Sequence, residues 1–448
     1  MKLKLNHKII YIHLPNKKVN KEYKELFPFS SLGKNFEIIP IYGQNIFSFV
    51  KEFKQVKFFR FTRTLHASLH FCVMWHRKYS SLSYKLRAYQ YFGSKRQVIS
   101  SSNWLVYNGR RHRLTIRFFV YLFSSTLGII FLKYLLGICF IIEGRKKTNR
   151  VNYLNSLLIL PYGGGISLEF DFLVWQSRKQ NALSVAIQEN WDNLSSKSFL
   201  FQHPSYFLTW GKQSSSHLRT IQSYTKIIRE VGSLRLKNFY RQKTKLEDPK
   251  YGLNRSKNSI DKCRVLVIGT GPANHDFKTV AIINESLITS KKFDFKIIYR
   301  PHPFSQISKS DLDNIRRIKN LELDLPNEME RNSHRLKLIL DSTVVVSLYS
   351  TVLLESTILN KHCIIPSFVL SELSYPTSNF LDDSPHYAGL SNFNTIKVAN
   401  SKDEFLELIT TASLTKGEIF NSREFLNWYC KDTNTAKEIL KFINEIIE

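Results

Sequence analysis

Three clusters in the second half of the chain carry residue types suited to binding anions. Tyr299-Arg300-Pro301-His302-Pro303 follows directly on an apolar run, Phe295–Tyr299, that reads as a buried strand. Pro301 and Pro303 fix the backbone around His302. An imidazole held there hydrogen-bonds a phosphate or a base, and the Arg300 guanidinium forks onto phosphate oxygens. The same five residues would also serve as a rigid turn with a capping histidine. The second cluster is Ser347-Leu348-Tyr349-Ser350-Thr351-Val352-Leu353-Leu354-Glu355, behind the strand-like run DSTVVVS. Ser350 is placed to cap a helix whose free N–H groups attract an anion, with Thr351 beside it. Glu355, one turn further, is in position for ribose hydroxyls, although a plain capping box has the same form. The third cluster is Gly269-Thr270-Gly271-Pro272, where Gly269 and Gly271 let the backbone approach a ligand. It is not GxGxxG and has no P-loop lysine.

The first half offers Gln188-Glu189-Asn190-Trp191-Asp192-Asn193, just after the run Leu183–Gln188. Glu189 or Asp192 is a candidate general base for an acceptor hydroxyl. Alternatively, Asp192 and Asn193 only fix the loop and cap the helix after it. His386, in Pro385-His386-Tyr387-Ala388-Gly389, is a candidate contact to donor or acceptor, whereas His203-Pro204 reads as structural. No DxD stands at a strand end. Asp382-Asp383 and Glu169/Asp171 come nearest, and both read as surface or helix carboxylates. No metal and no cofactor is therefore expected.

Positioning these clusters at strand ends requires a particular scaffold. Apolar runs at 8–14, 36–42, 157–161, 183–188 and 206–210 alternate with helical patterns, and 212–230 reads as helix. A polar stretch, 235–262, reads as a linker. A fresh alternation follows, with strands at 264–268, 295–299, 344–347 and 363–366 and one long final helix over 423–447 placed to pack back on the first domain. Strands alternating with helices predict α/β domains with parallel sheets. The expected division is 1–234, with a basic and apolar insertion over 51–150, a linker at 235–262, and a second domain over 263–448.

Charge sets the insertion apart. Of 448 residues, 65 are Lys or Arg and 36 Asp or Glu. Residues 1–160 hold 28 of the former and 5 of the latter, and no carboxylate lies between Glu52 and Glu143. Such asymmetry suits nucleic acid, an anionic membrane or an anionic substrate. Interleaved aromatics over 51–117 would suit nucleic acid, but no nucleic-acid motif accompanies them and they alternate with apolar residues as core does. Residues 118–142 form an apolar stretch broken by one charge, Lys133, and flanked by basic residues on both sides. It is long enough to span a bilayer, but a span would split one sheet across the membrane and the flanks give no orientation. A buried helix or one lying in the membrane interface is the expectation. Cys72, Cys139, Cys263, Cys363 and Cys430 form no CxxC pair, which points to a reducing compartment without disulfides or zinc. The basic N-terminus, with its short apolar run interrupted by His13, reads as a first strand rather than a signal peptide.

Taken together, YRPHP, YSTVLLES and the glycine loop resemble the nucleotide-binding C-terminal domain of GT-B fold glycosyltransferases over about 265–370. The resemblance is closest to transferases of surface-polysaccharide synthesis: CDP-glycerol glycerophosphotransferases and bacterial sialyl- and polysialyltransferases. It implies two Rossmann-like domains facing across a cleft, with His302 holding nucleotide phosphates and Ser350 and Thr351 binding phosphate. It further implies a metal-independent glycosyl- or polyol-phosphate transferase of surface or capsular polysaccharide, using a CMP-, CDP- or UDP-linked donor and a glycan or lipid-linked acceptor. Such an enzyme would be cytoplasmic and peripheral at the inner membrane face, without nucleic acid as partner. The sialyltransferases' acidic base motif is not present here. A nucleic-acid-binding protein, a non-catalytic GT-B-like protein and an epimerase of the same fold are the competing readings.

Overall fold

A computed structural model describes residues 9–15, 17–42, 53–76, 110–145, 152–163, 167–197, 199–247, 263–269, 273–290, 294–302, 307, 309–325, 332–348, 350–369, 385–390, 393, 395–414 and 423–447. Among the described residues, twelve strands form two six-stranded sheets. The first contains β1 (Ile9–Leu14), β2 (Glu37–Tyr42), β3 (Leu157–Tyr162), β4 (Leu183–Gln188), β5 (Tyr206–Thr209) and β6 (Ile227–Glu230). The second contains β7 (Cys263–Ile268), β8 (Phe295–Arg300), β9 (Leu321–Leu323), β10 (Val344–Val346), β11 (His362–Pro366) and β12 (Ile396–Ala399). Every pairing is parallel. That is why the central strands read as unbroken apolar runs: a parallel sheet is covered by helices on both faces. Two doubly wound, Rossmann-like domains thus form the expected GT-B architecture.

The helices used below are α1 (Lys17–Leu26), α2 (Phe53–Trp75), α3 (Arg110–Phe123), α4 (Thr126–Gly144), α5 (Leu168–Lys179), α6 (Lys212–Thr220) and α7 (Lys237–Glu247). They continue with α8 (Ala273–Ser290), α9 (Lys309–Arg316), α10 (Asn332–Asp341), α11 (Val352–Ile358), α12 (Lys402–Leu414), α13 (Arg423–Tyr429) and α14 (Thr435–Ile447). The first sheet runs β2-β1-β3-β4-β5-β6 and the second β12-β11-β10-β7-β8-β9. Strand alternation divides the first sheet's side chains between two layers. Tyr11, Leu158 and Leu160 face a layer built from α2, α3 and α4, through Leu69, Cys72, Ile116, Leu132 and Leu136. Ile10, Ile12, Leu157 and Ile159 face the other way, against Ile439, Phe442 and Ile443 of α14.

Four sequence expectations change. Residues 212–230 are not one helix: α6 ends at Thr220 and 227–230 is the edge strand β6, which alternates in burial because it pairs on one side only. The stretch 235–262 begins with α7, whose Phe239 and Tyr240 are buried in the second core although its outer face is polar. The final helix breaks into α13 and α14 around Asp432, and it is α14 that returns to the first sheet. The apolar stretch 118–142 belongs to two helices, α3 and α4, because the Ser125 hydroxyl accepts the Gly128 N–H and starts a new helix. All five cysteines are free and buried.

Three histidines are carried neutral. His13 lies inside β1, and burial drives its pKa down to about 3. Burial also lowers His217 to about 4 and holds His70 well below the usual range. Groups whose folded pKa is depressed bind protons first in the unfolded chain, so stability must fall as pH drops below about 6.5, the ordinary histidine value, and must go on falling towards 4. Each contributes about 1.4 kcal/mol per pH unit in that window. Urea unfolding at pH 7 and pH 5 should show this loss, and His13→Leu should remove one histidine's share of it. A flat profile between those pH values would contradict the burial of these rings as neutral groups.

Candidate functional site

In the second sheet the chain moves from β7 to β8 and β9 on one side, then crosses to β10, β11 and β12 on the other. The strand order reverses between β7 and β10, and the crevice at such a point, beyond the carboxyl ends of the strands, is where open α/β sheets bind ligands. Gly269, Arg300 and Ser347 all stand at this edge. The Gly269 N–H donates to the Arg300 carbonyl at 2.8 Å, and the Ser347 hydroxyl donates to the Ile268 carbonyl at 3.2 Å, tying β7 to both neighbours. A narrow cleft lies between them, lined by Gly269, Thr279, Tyr299, Ser347 and Leu348. His302 follows β8, and Ser350 and Thr351 follow β10, so all three stand on this edge flanking β7, each half-buried. Gly271 and Pro303 lie outside the described residues.

Local hydrogen bonding revises what these residues offer. The Ser350 hydroxyl accepts the Val352 N–H at 3.3 Å and its carbonyl accepts the Leu353 N–H at 3.1 Å. The first amides of α11 are therefore satisfied within the loop, and an anion here would rely on hydroxyl and guanidinium groups instead. Arg300 is buried and pairs with Asp324, whose other oxygen hydrogen-bonds His334 Nε2 at 2.8 Å. Glu355 is not open to a ribose. It is buried, and its Oε1 accepts from Arg335 at 2.8 Å. Burial raises its pKa, opposed by the charges of Arg335, Arg235 and Arg300. Arg335 is thus the ion-pair partner of this buried carboxylate, and the charges of Arg235 and Arg300 act on it as well.

Arg235 lies where the chain crosses between the two cores, with Leu234 buried in the first and Leu236 in the second. Its Nε lies 3.7 Å from Glu22 Oε1 on α1, and it also hydrogen-bonds the Asn190 side chain after β4. The same corner holds Glu189, buried, which accepts a hydrogen bond of 2.8 Å from the Tyr23 hydroxyl. Burial and the Glu189 charge together raise the Tyr23 pKa. A small cleft lined by Glu22, Tyr23, Gln188, Glu189, Ser233 and Arg235 opens beside it. Asp192, half-buried, lies in the wide turn that follows; its neighbour Asn193 is fully buried and donates to the Tyr162 carbonyl at 2.6 Å, fixing that turn. Of the two acidic candidates, Glu189 is the one that shares this cleft with Arg235.

The carboxyl ends of the two sheets are locked together behind the site. Trp191 is buried edge-on against His386, Tyr387 and Tyr429, with centroids 5.6, 5.3 and 5.7 Å away. Its indole N–H donates to Gln213 Oε1 at 2.8 Å, and the Gln213 amide donates to the His386 carbonyl at 3.2 Å. Ser195 Oγ and His386 Nδ1 share a hydrogen bond of 3.2 Å. His386, expected to contact substrate, is instead buried in this seam. Gly211 permits the approach, since a Cβ there would lie 3.0 Å from the Trp428 carbonyl oxygen. Gly232, at φ +81°, turns the chain under Lys431.

Asp171, read as a surface or helix carboxylate, stands in the first turn of α5, where it is buried and pairs with His66 Nε2 at 2.7 Å. Ligand atoms of His66, His70 and Asp171 lie within 4.8 Å of one another. The set does not fit a metal. His70 Nδ1 accepts the Phe199 N–H at 3.2 Å, so the neutral ring carries its proton on Nε2 and presents N–H rather than a lone pair to the group. Asp382 and Asp383 lie outside the described residues.

Sequence reading missed Arg235, Arg335, Asp324, His334 and Tyr23. Their partners lie on other elements, and no local pattern marks them. Arg335→Ala should destabilise the protein by about 3 kcal/mol, because it leaves a buried carboxylate without its partner. With the Glu355 pKa raised further, the penalty should be larger at pH 7 than at pH 5, where that group is closer to neutral. Equal penalties at both pH values in urea titrations would contradict the pairing.

No protein-family model and no curated protein matches the chain. Among solved structures, it is similar to the UDP-GlcNAc 2-epimerase of Methanocaldococcus jannaschii, in complex with UDP-GlcNAc and UDP, at 12% identity and a TM-score of 0.48, covering 98% of this chain and 99% of that one. The UDP-GlcNAc 2-epimerase of Neisseria meningitidis bound to UDP-GlcNAc is similar at 12% identity and a TM-score of 0.46, with 98% and 99% covered. The wall teichoic acid polymerase TagF is similar at 13% identity and a TM-score of 0.35, with 71% and 97% covered.

Proposed function

We propose that this chain is a transferase that binds a nucleotide-activated donor, CMP-, CDP- or UDP-linked, at the carboxyl edge of the second sheet. It would pass a sugar or polyol phosphate to a glycan or lipid-linked acceptor in surface-polysaccharide synthesis. The observation that carries the reading is the gathering of Gly269, Arg300, His302, Ser350 and Thr351 at the β7/β10 reversal, with Arg235 at the crossing between the two cores.

In this reading Gly269 lets the donor backbone sit close to the strand end. His302, Ser350 and Thr351 hydrogen-bond the phosphates, and Arg300 and Arg235 balance the charge that grows on the leaving phosphate. The existing carboxylate partners hold these guanidinium groups in place before the donor arrives, so little is reorganised as charge develops. Glu189 is the general base: it lies in the opposing domain, and its link to Tyr23 orients the carboxylate. The chemistry needs only proton transfer and electrostatic stabilisation, for which the side chains present suffice.

Thermal-shift titration with CMP, CDP, UDP and GDP should show stabilisation by at least one pyrimidine nucleotide. His302→Ala should weaken that binding about tenfold, the loss of one charge-assisted or phosphate hydrogen bond, while leaving the unliganded melting temperature nearly unchanged. Absence of any nucleotide shift would remove the reading. Glu189→Gln should keep nucleotide affinity and lower turnover of the cognate donor by about a hundredfold or more, as expected for a lost general base. Turnover equal to the parent's would move the base elsewhere.

A further inference from the structure

We propose that α3 and α4 form a docking face for an anionic lipid bilayer, on which the protein lies with both helices parallel to the membrane surface. The proposal is independent of the nucleotide site. On α4, Leu127, Ile130, Phe131, Tyr134, Ile138, Ile141 and Ile142 are exposed, and their spacing puts them on one stripe of the helix. Leu127 is 80% and Tyr134 69% exposed. The opposite stripe, Ile129, Leu132, Leu136, Cys139 and Phe140, is packed into the first core. On α3, Phe118, Tyr121 and Leu122 repeat the pattern, with Tyr121 88% exposed. The stacked rings of Phe123 and Phe131, 5.5 Å apart, join the two helices at their hinge.

An apolar face of this size does not stay in water without an occupant. Charge identifies which one. Residues 53–142 contain 15 Lys or Arg and no Asp or Glu. In the sequence, Arg110, Arg111, Arg113 and Arg117 precede the exposed residues of α3, and Arg145, Lys146 and Lys147 follow those of α4. Cations leading into an aromatic residue and then an apolar face match the order from headgroup to acyl chain. A second copy of the chain fits less well, because a two-fold contact would bring two such carboxylate-free regions together. Lys133, the one charge on the α4 apolar stretch, has its ammonium 5.8 Å over the Phe201 ring, in contact with the protein body.

The packing also fixes the mode of contact. The inner stripe of α4 is held against α2 and α5, and α5 is itself docked on β3 and β4 of the first sheet. A helix spanning the bilayer would carry that sheet into the hydrocarbon. Lying flat, α4 offers its apolar stripe to the acyl region while the body stays in water.

Full-length protein should be sedimented with phosphatidylcholine vesicles, with and without phosphatidylglycerol. Binding to the anionic vesicles at low salt should exceed that to neutral ones by about tenfold or more. High salt should weaken it without abolishing it, since the apolar contribution is insensitive to salt. Replacing two exposed residues, Leu127→Gln with Tyr134→Gln, should cut vesicle binding about tenfold with an unchanged melting temperature. The proposal is overturned if the parent stays soluble with anionic vesicles at low salt, or if the double variant binds like the parent. It is equally overturned if detergent alone releases the protein, which means a span, or if the double variant instead breaks a dimer seen by light scattering. Thermal shift with nucleotides on both proteins keeps failure here separate from failure of the nucleotide reading.

Discussion

A parallel sheet built outward in two directions from one central strand leaves a gap, because the crossover helices on either side cover opposite faces. In the second domain that gap falls between β7 and β10, and the rest of the site follows from it. Arg300 and His302 arrive there because β8 flanks β7 on one side; Ser347, Ser350 and Thr351 arrive because β10 flanks it on the other. Arg335 enters from α10, the helix that carries the chain across the reversal, and pairs with Glu355 on the helix leaving β10. No residue in this group is close in sequence to all the others. The strand order alone makes them neighbours.

The second constraint is the seam that holds the two carboxyl edges face to face. Trp191 inserts an aromatic ring from the first domain into the core of the second, and Gln188 and Gln213 satisfy the backbone around it. Gln188 donates to the Asn190 and Trp191 carbonyls and accepts from the Trp210 N–H, which leaves that loop little freedom. Glu189 is carried by this braced loop, so its position relative to Arg235 is set by packing rather than by its own contacts.

Much of this was legible in the chain. The apolar runs located most of the strands, and the motifs at 299–303 and 347–355 were read as lying at strand ends, where the structure has Arg300, His302, Ser347, Ser350 and Thr351. Edge strands were harder. β6 and β9 are short and pair on one side only, so neither carries the continuous apolar run of a central strand, and 227–230 passed for helix. Roles were harder still. Glu355 and His386 are polar residues near the site by sequence, yet both are spent on internal contacts, one with Arg335 and the other with Trp191 and Ser195. Their partners come from elements far along the chain. Arg235 was hidden for the opposite reason: its surroundings are polar enough to read as linker, and only the fold shows that α7 is anchored by Phe239 and Tyr240.

The return of α14 to the first sheet has a consequence for how this protein is made. Ile10, Ile12, Leu157, Ile159 and Val185 form a layer whose cover includes Ile439, Phe442 and Ile443. During synthesis those strands leave the ribosome long before α14 does, and the whole second domain is translated in between. For that interval one face of the first sheet lacks part of its cover, a surface that holdase chaperones recognise and that neighbouring nascent chains can join. The first domain, although begun first, is the last to be closed, and only when the second already stands beside it.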